Sequence, residues 1–313
     1  MEFLLANMSL ILFSALGILG IGFSCCFVKD FYEHRHELEP ETSWPVTGAI
    51  GFATNFVDAL GIGSFATITA LMKIFKQTKD RMIPGILNVG CTIPVIAEAV
   101  IFIKKVEVDP VTLFGMLSAA AIGAYVGAGV IARFSEQRIR LVMGIALFVT
   151  VFVMLAGVMG WMPVGGDAIG LGGGKLVIAI AANFILGALM TAGIGMYAPC
   201  MALVYFMGMN PLIAFPIMMG SSAILMPVAS YRFIKEGAYN RKASMIITLS
   251  GVVGIFIAIT LITSMPLDTL RWLVMGVVLY TSLAMLRSYY KARQADSPAN
   301  PAGLRGKPQP SAG

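Results

Sequence analysis

The sequence predicts an all-α protein with several membrane-spanning helices. Of its 313 residues, 58% are hydrophobic and only 12% are charged, whereas charged residues make up about 25% of a typical soluble domain. The hydrophobic residues form long runs instead of alternating with polar ones. A run of about 20 apolar residues crosses a bilayer as a helix, while the strands of a membrane β-barrel alternate polar and apolar residues. A helical membrane protein is therefore expected.

Apolar segments account for most of the chain. They lie at about 4–28, 46–75, 82–103, 110–132, 139–161, 176–207, 211–231, 243–265 and 270–286. In the first segment Glu2 replaces the basic start of a signal peptide, and no small-residue cleavage site follows. Residues 1–28 are therefore predicted to be an N-terminal transmembrane helix. A polar loop is expected at 29–45, and a disordered cytoplasmic tail rich in Pro, Ala, Gly and Ser at 291–313.

The chain contains an internal repeat with a long, constant period. The Gly-Ile-Gly of residues 61–63 returns at 193–195, and the Leu-Val-Met-Gly of 141–144 returns at 273–276 in the same register. The period is the distance along the chain from residue 61 to residue 193. Two residues separated by this period occupy equivalent positions of the two copies. Such a long period indicates a duplicated helical bundle, which is a common architecture of secondary transporters. We therefore expect a first repeat at 46–161 and a second repeat at 176–290.

The placement of Lys and Arg predicts how the two repeats are oriented. Cytoplasmic loops of membrane proteins are enriched in these residues. If segments 46–75 and 176–207 each enter and leave the membrane on one side, 18 of the 22 Lys and Arg lie on the cytoplasmic side. Each repeat then has three full crossings, so the repeats are inverted. The same short basic blocks between apolar segments argue against a nucleic-acid partner.

The glycines of the two re-entrant segments are expected to break their helices. Gly61 and Gly63 interrupt the first segment, and Gly193, Gly195 and Pro199 interrupt the second. Each glycine lowers helix stability by about 1 kcal/mol. Non-helical backbone at membrane depth persists only where it is buried in protein or lines a watery cavity. Two breaks that meet near the midplane would form such a cavity.

Several motifs give the chain a resemblance to a known transporter family. They are the two Gly-Ile-Gly sequences, the Val-Glu-Val-Asp of 106–109, the Ser-Glu-Gln-Arg-Ile-Arg of 135–140, the Gly-Ala-Tyr-Asn of 237–240 and the Leu-Asp-Thr-Leu-Arg of 267–271. In order and spacing, over roughly residues 48–288, the chain resembles the TauE/SafE family of sulfite exporters and sulfonate permeases. This resemblance implies transport of sulfite, a sulfonate or a related small organosulfur or carboxylate anion.

The candidate substrate site lies at the breaks. Free amides and the positive ends of half-helices bind anions, and hydroxyl groups add donors. Ordinary close packing of helices is the alternative explanation for the glycines. The substrate-binding candidates are Gly61, Gly63, Ser64, Asn88, Gly193, Gly195, Tyr197, Cys200 and Ser222.

Two carboxyl groups are candidates for proton coupling. Asp58 and Glu98 lie inside apolar segments, where carboxylates are costly and usually functional. No metal site or cofactor is expected. The alternatives left open are a structural role for both carboxyl groups, a cation carrier, and a non-transporting membrane sensor or scaffold. An enzyme is not expected, because the only histidines, His34 and His36, share one polar loop.

Overall fold

The computed structural model describes residues 8–60, 62–103, 106–161, 166–261 and 267–295. These residues form an all-helical bundle with no β-strand among them, which confirms the predicted fold class. The helices are α1 (Met8–Glu33), α2 (Trp44–Ala59), α3 (Phe65–Ile74), α4 (Ile83–Ile103), α5 (Pro110–Ile131), α6 (Glu136–Val158), α7 (Gly173–Met190), α8 (Tyr197–Met207), α9 (Ala214–Lys235), α10 (Arg241–Leu261) and α11 (Leu267–Ala295).

Some boundaries differ from those expected. Helix α1 continues to Glu33 and α2 begins at Trp44, so the loop between them is shorter than 29–45. Helix α11 continues to Ala295, so residues 291–295 are helical. Both extensions, 29–33 and 291–295, carry charged residues. A prediction based on apolar runs ends where charged residues begin, so it does not detect a helix that continues beyond the hydrocarbon region. Most of the predicted tail, residues 296–313, falls outside the described residues.

Seven of the described helical spans are long and apolar enough to cross a membrane. The most apolar stretches of these spans differ in how much of them is buried. The buried share is 78% in α9 and 61% in the span that includes α4, but only 22% in α1 and 20% in α6. Helices α4 and α9 therefore form the centre of the bundle, and α1 and α6 present apolar side chains to its surroundings.

The packing pairs helices of one half with helices of the other. Helix α2 packs on α10, and α7, the counterpart of α2 in the second copy, packs on α5. Helices α4 and α9 are also counterparts, and they pack antiparallel, because Ile103 lies beside Gly220 while Thr92 hydrogen-bonds Ser230 at 3.1 Å. The antiparallel packing of α4 and α9 is compatible with the predicted inversion of the two halves.

Glycines allow close contacts between helices. A Cβ atom on Gly123 of α5 would lie 2.0 Å from the Phe184 carbonyl oxygen, and one on Gly254 of α10 would lie 2.4 Å from the Phe52 carbonyl oxygen. Phe52 and Phe184 occupy equivalent positions of the two copies. The glycine positions of α5 and α10 therefore let two equivalent helix pairs approach to backbone contact, as small residues do in membrane proteins.

Candidate functional site

Both predicted re-entrant segments are interrupted. Helix α2 ends at Ala59 and α3 begins at Phe65, while α7 ends at Met190 and α8 begins at Tyr197. Gly63 and Gly193 have φ values of 91° and 95°, a conformation that glycine adopts without the steric cost that a side chain incurs. Gly61, the remaining glycine of the first break, falls outside the described residues.

The two breaks contact each other reciprocally. A Cβ atom on Gly63 would lie 4.0 Å from Cδ2 of Tyr197, and one on Gly195 would lie 3.9 Å from Cβ of Phe65. In the repeat register Gly63 is equivalent to Gly195, and Phe65 is equivalent to Tyr197. Each half thus places its glycine against the first helical residue of the other half, and the starts of α3 and α8 meet.

A cavity of about 20 Å³ lies between the breaks, room for about one water molecule. Its walls come from equivalent positions of the two halves, together with one residue of α4. They are Asp58, Gly63, Ser64 and Phe65 from the first half, Met190, Gly195, Met196 and Tyr197 from the second half, and Val95 of α4. The first half contributes the carboxyl group and the hydroxyl group of Ser64, whereas the second half contributes two thioethers.

The buried carboxyl groups form a pair at this cavity. Asp58 and Glu98 are 2% and 0% exposed, and their carboxyl groups lie close enough to interact directly. Asp58 Oδ2 and Glu98 Oε1 have no hydrogen-bond donor among the described residues. Because two ionised carboxylates cannot donate to each other, their contact is favourable when a proton lies between them.

In each carboxyl group, the other oxygen atom accepts a hydrogen bond. The Ser64 N–H donates to Asp58 Oδ1 at 2.6 Å, and the Tyr197 hydroxyl donates to Glu98 Oε2 at 3.0 Å. Asp58 therefore occupies one of the amides that the sequence predicted to be free for an anion. The Glu98–Tyr197 bond joins the central helix α4 to the start of α8, so it couples the carboxyl pair to the second break.

The Cys91 thiol belongs to the same cluster. It lies close to Ser64, Asn55, Asp58 and Glu98. Asn55 is fully buried, and its Oδ1 also has no donor among the described residues. The cluster therefore presents several oxygen acceptors to a small volume.

Several other predicted residues do not line the cavity. Asn88 donates to the Pro84 carbonyl oxygen of its own helix at 2.8 Å. Gly193 lies beside Met143 and Leu87. Cys200 is fully buried in the first turn of α8.

Ser222 does not line the cavity but contacts the two methionines that do. Its hydroxyl contacts the sulfur atoms of Met190 and Met196 at 3.7 and 3.9 Å. The sequence interpretation missed these two methionines, although the repeat register gives them, since they are the equivalents of Asp58 and Ser64 in the second copy.

Replacing Gly63 by Ala is expected to destabilise the protein more than replacing Gly195 by Ala. A side chain at the φ of 91° found at Gly63 is expected to cost about 1–2 kcal/mol. Gly195 is the matched control, because its Cβ would meet Phe65 at an ordinary van der Waals distance of 3.9 Å. Thermal unfolding of both variants in detergent checks this, and equal melting temperatures would argue against a strained backbone at Gly63.

Comparison with protein families identifies the chain. The family model described as sulfite exporter TauE/SafE matches residues 3–154 and 176–311. Comparison with curated proteins and with solved structures gives no match. The two matched stretches include the two halves whose breaks meet at the cavity, and they cover most of the sequence. The chain belongs to the sulfite exporter TauE/SafE family and is a multi-pass membrane transporter, not an enzyme.

Proposed function

We propose that the chain carries a small sulfur-containing anion, such as sulfite or a sulfonate, across the inner membrane together with protons bound at Asp58 and Glu98. The supporting observation is the cavity at the meeting point of the two breaks, which Asp58 lines, with Glu98 close to Asp58 and hydrogen-bonded to the lining residue Tyr197. The proposed orientation in that membrane rests on the cytoplasmic bias of the basic residues.

The starts of α3 and α8 supply favourable electrostatics for an anion. Ser64 and Phe65 line the cavity at the start of α3, and Met196 and Tyr197 line it at the start of α8. A helix N-terminus carries a partial positive charge, and discontinuous helices in transporters direct it at anionic groups. Of the nine lining residues, all within the described part of the chain, none is Lys or Arg.

The carboxyl pair makes anion binding depend on protons. When both groups are ionised they repel an anion at close range. When a proton is bound, a carboxylic acid donates a hydrogen bond to the anion. The anion therefore binds better to the protonated protein, and by reciprocity a bound anion favours protonation. This coupling requires no fixed cation at the site.

The cavity must enlarge to take up the anion. Its volume of about 20 Å³ accommodates about one water molecule, which is smaller than a sulfonate. The reciprocal contacts Gly63–Tyr197 and Gly195–Phe65 hold the two breaks together. Movement of one half against the other around a fixed central site is how duplicated transporters alternate access, and it would separate these contacts.

A cation carrier is the competing function, because the unpaired oxygens of Asp58 and Glu98 would also attract a small cation. Among the described residues no cluster of three or more His, Cys, Asp or Glu side chains is placed to hold a metal ion. Replacement of Na⁺ by K⁺ in the transport buffer separates a sodium-coupled carrier from a proton-coupled one.

Proteoliposomes test the proposal. Uptake of labelled sulfite, sulfoacetate and taurine is measured with a proton gradient, without one, and with a protonophore. At least one anion is expected to accumulate about tenfold per pH unit for each coupled proton, and the protonophore should abolish accumulation. Transport that follows Na⁺ instead of the proton gradient would support the cation-coupled alternative. Absence of transport for all three anions would favour a sensor or scaffold.

A further inference from the structure

An apolar groove separate from the central cavity lies between α1, α5 and α9. Its volume is about 400 Å³, within the range of about 300–1,000 Å³ typical of small-molecule sites. Leu19, Phe23 and Cys26 of α1 form one wall, Tyr125 of α5 forms the other, and Val228 and Tyr231 of α9 form the floor.

The groove runs toward the end of the bundle that carries the basic residues. Helices α1 and α9 end on the same side, because Phe27 contacts the ring of Tyr239, which follows α9 closely in the chain. Helix α5 ends there too, since Arg133 pairs with Glu236 at 2.9 Å. This is the end predicted to be cytoplasmic, where the anionic lipids of a membrane attract Lys and Arg.

Arg232 stands at that end of the groove. Its guanidinium group lies 4.1 Å from the ring centroid of Tyr125, which lines the groove, and its buried Nε has no hydrogen-bond partner among the described residues. The neighbouring Arg133 is already bonded to Glu236, and this bond holds the pKa of the Glu236 carboxyl below its usual range. Arg232 is therefore the better-placed cation for a ligand at the groove.

We infer that the groove holds one acyl chain of an anionic phospholipid, with the headgroup phosphate at Arg232. Apolar walls suit a hydrocarbon chain, and a guanidinium group suits a phosphate. The segment 296–313 fits less well, because Leu304 is its only large apolar residue and Arg305 and Lys307 would meet Arg232 with like charge. This inference does not depend on the transported substrate.

Two substitutions separate the headgroup contact from the acyl-chain contact. Arg232→Gln removes the charge. Gly22→Leu places a side chain in the groove, at a position where a Cβ meets nothing within 4 Å. The matched controls are Arg138→Gln, which removes an arginine that stacks on Phe134 instead, and Gly17→Leu, on the same helix with the same open surroundings but outside the groove lining.

The experiment measures the rise in melting temperature of detergent-purified protein as phosphatidylglycerol or phosphatidylcholine is titrated. Phosphatidylglycerol should stabilise the wild-type protein and both controls at lower concentration than phosphatidylcholine. Arg232→Gln and Gly22→Leu should each need about tenfold more phosphatidylglycerol, the effect of losing one charged hydrogen bond or a comparable apolar contact. Equal potency of the two lipids, or wild-type behaviour of Gly22→Leu, would overturn the inference.

A second measurement covers the case in which Arg232→Gln does not fold. Cys26 lines the groove, and Cys25 is an exposed neighbour that does not. In Cys25→Ser protein, phosphatidylglycerol should slow maleimide labelling of Cys26, whereas in Cys26→Ser protein it should leave labelling of Cys25 unchanged. Equal protection of both cysteines would show general coating by lipid and would contradict a site.

Discussion

Transport by Glu98→Gln is expected to fall by about 10- to 100-fold and to lose its response to the proton gradient. Glu98 is fully buried close to the carboxyl group of Asp58, and its Oε1 has no hydrogen-bond donor among the described residues. Glutamine can still accept the hydrogen bond from Tyr197, so the fold should persist, but it cannot bind and release a proton. Loss of a hydrogen bond to a charged group, worth about 1.5–3 kcal/mol, gives the expected range.

The control is Glu107→Gln, which neutralises an exposed carboxyl group at one end of the bundle. It should transport at the wild-type rate with the wild-type response to pH. Asp58→Asn should behave like Glu98→Gln, with its melting temperature kept, because asparagine can still accept the Ser64 N–H. Gradient-driven accumulation that survives in both carboxyl variants would remove these groups from coupling.

Gly123→Ala is expected to lower the free energy of unfolding by about 1–3 kcal/mol, the usual range for overpacking a tight contact. The added methyl group would lie 2.0 Å from the Phe184 carbonyl oxygen, so α5 and α7 would have to separate. Gly254→Ala should have a similar effect, because its methyl group would lie 2.4 Å from the Phe52 carbonyl oxygen. Unfolding in denaturant, followed by circular dichroism, measures both.

Gly157→Ala is the matched control for these helix glycines. It lies in α6, and a Cβ there meets nothing within 4 Å. Alanine should therefore be neutral or should stabilise the helix by up to about 1 kcal/mol. If Gly123→Ala is as stable as Gly157→Ala, the backbone contact between α5 and α7 is not as close as described.

The sequence predicted the helices and the two breaks because both depend on local composition. Apolar runs give the spans, and paired glycines give the interruptions after Ala59 and Met190. The sequence indicated Asp58 and Glu98 as two separate candidates, because an acidic residue inside an apolar membrane segment is rare and usually functional. The proximity of Asp58 and Glu98 depends on how α2 packs near α4, which neither segment encodes alone.

Other features depend on tertiary packing that the sequence pattern does not reveal. Asp58, at the end of α2, accepts a hydrogen bond from the Ser64 N–H across the break and so caps α3. The loop geometry that allows this contact has no sequence signature. Met190 and Met196 cannot be distinguished from other apolar residues by composition. Only the repeat register, which makes them equivalent to Asp58 and Ser64, indicates that they belong to the site. Asn88 is outside the cavity lining: its side-chain N–H donates to the Pro84 carbonyl oxygen of its own helix, which the sequence pattern alone does not reveal.

The orientation of the two halves is tested most directly by labelling single cysteines in intact membrane vesicles. Lys235→Cys and Glu107→Cys are both exposed positions, introduced in a background with the four native cysteines replaced. The antiparallel packing of α4 and α9 predicts labelling from opposite sides, with position 235 on the cytoplasmic side. Labelling of both positions from the same side would contradict inverted halves and the meeting of their breaks inside the membrane.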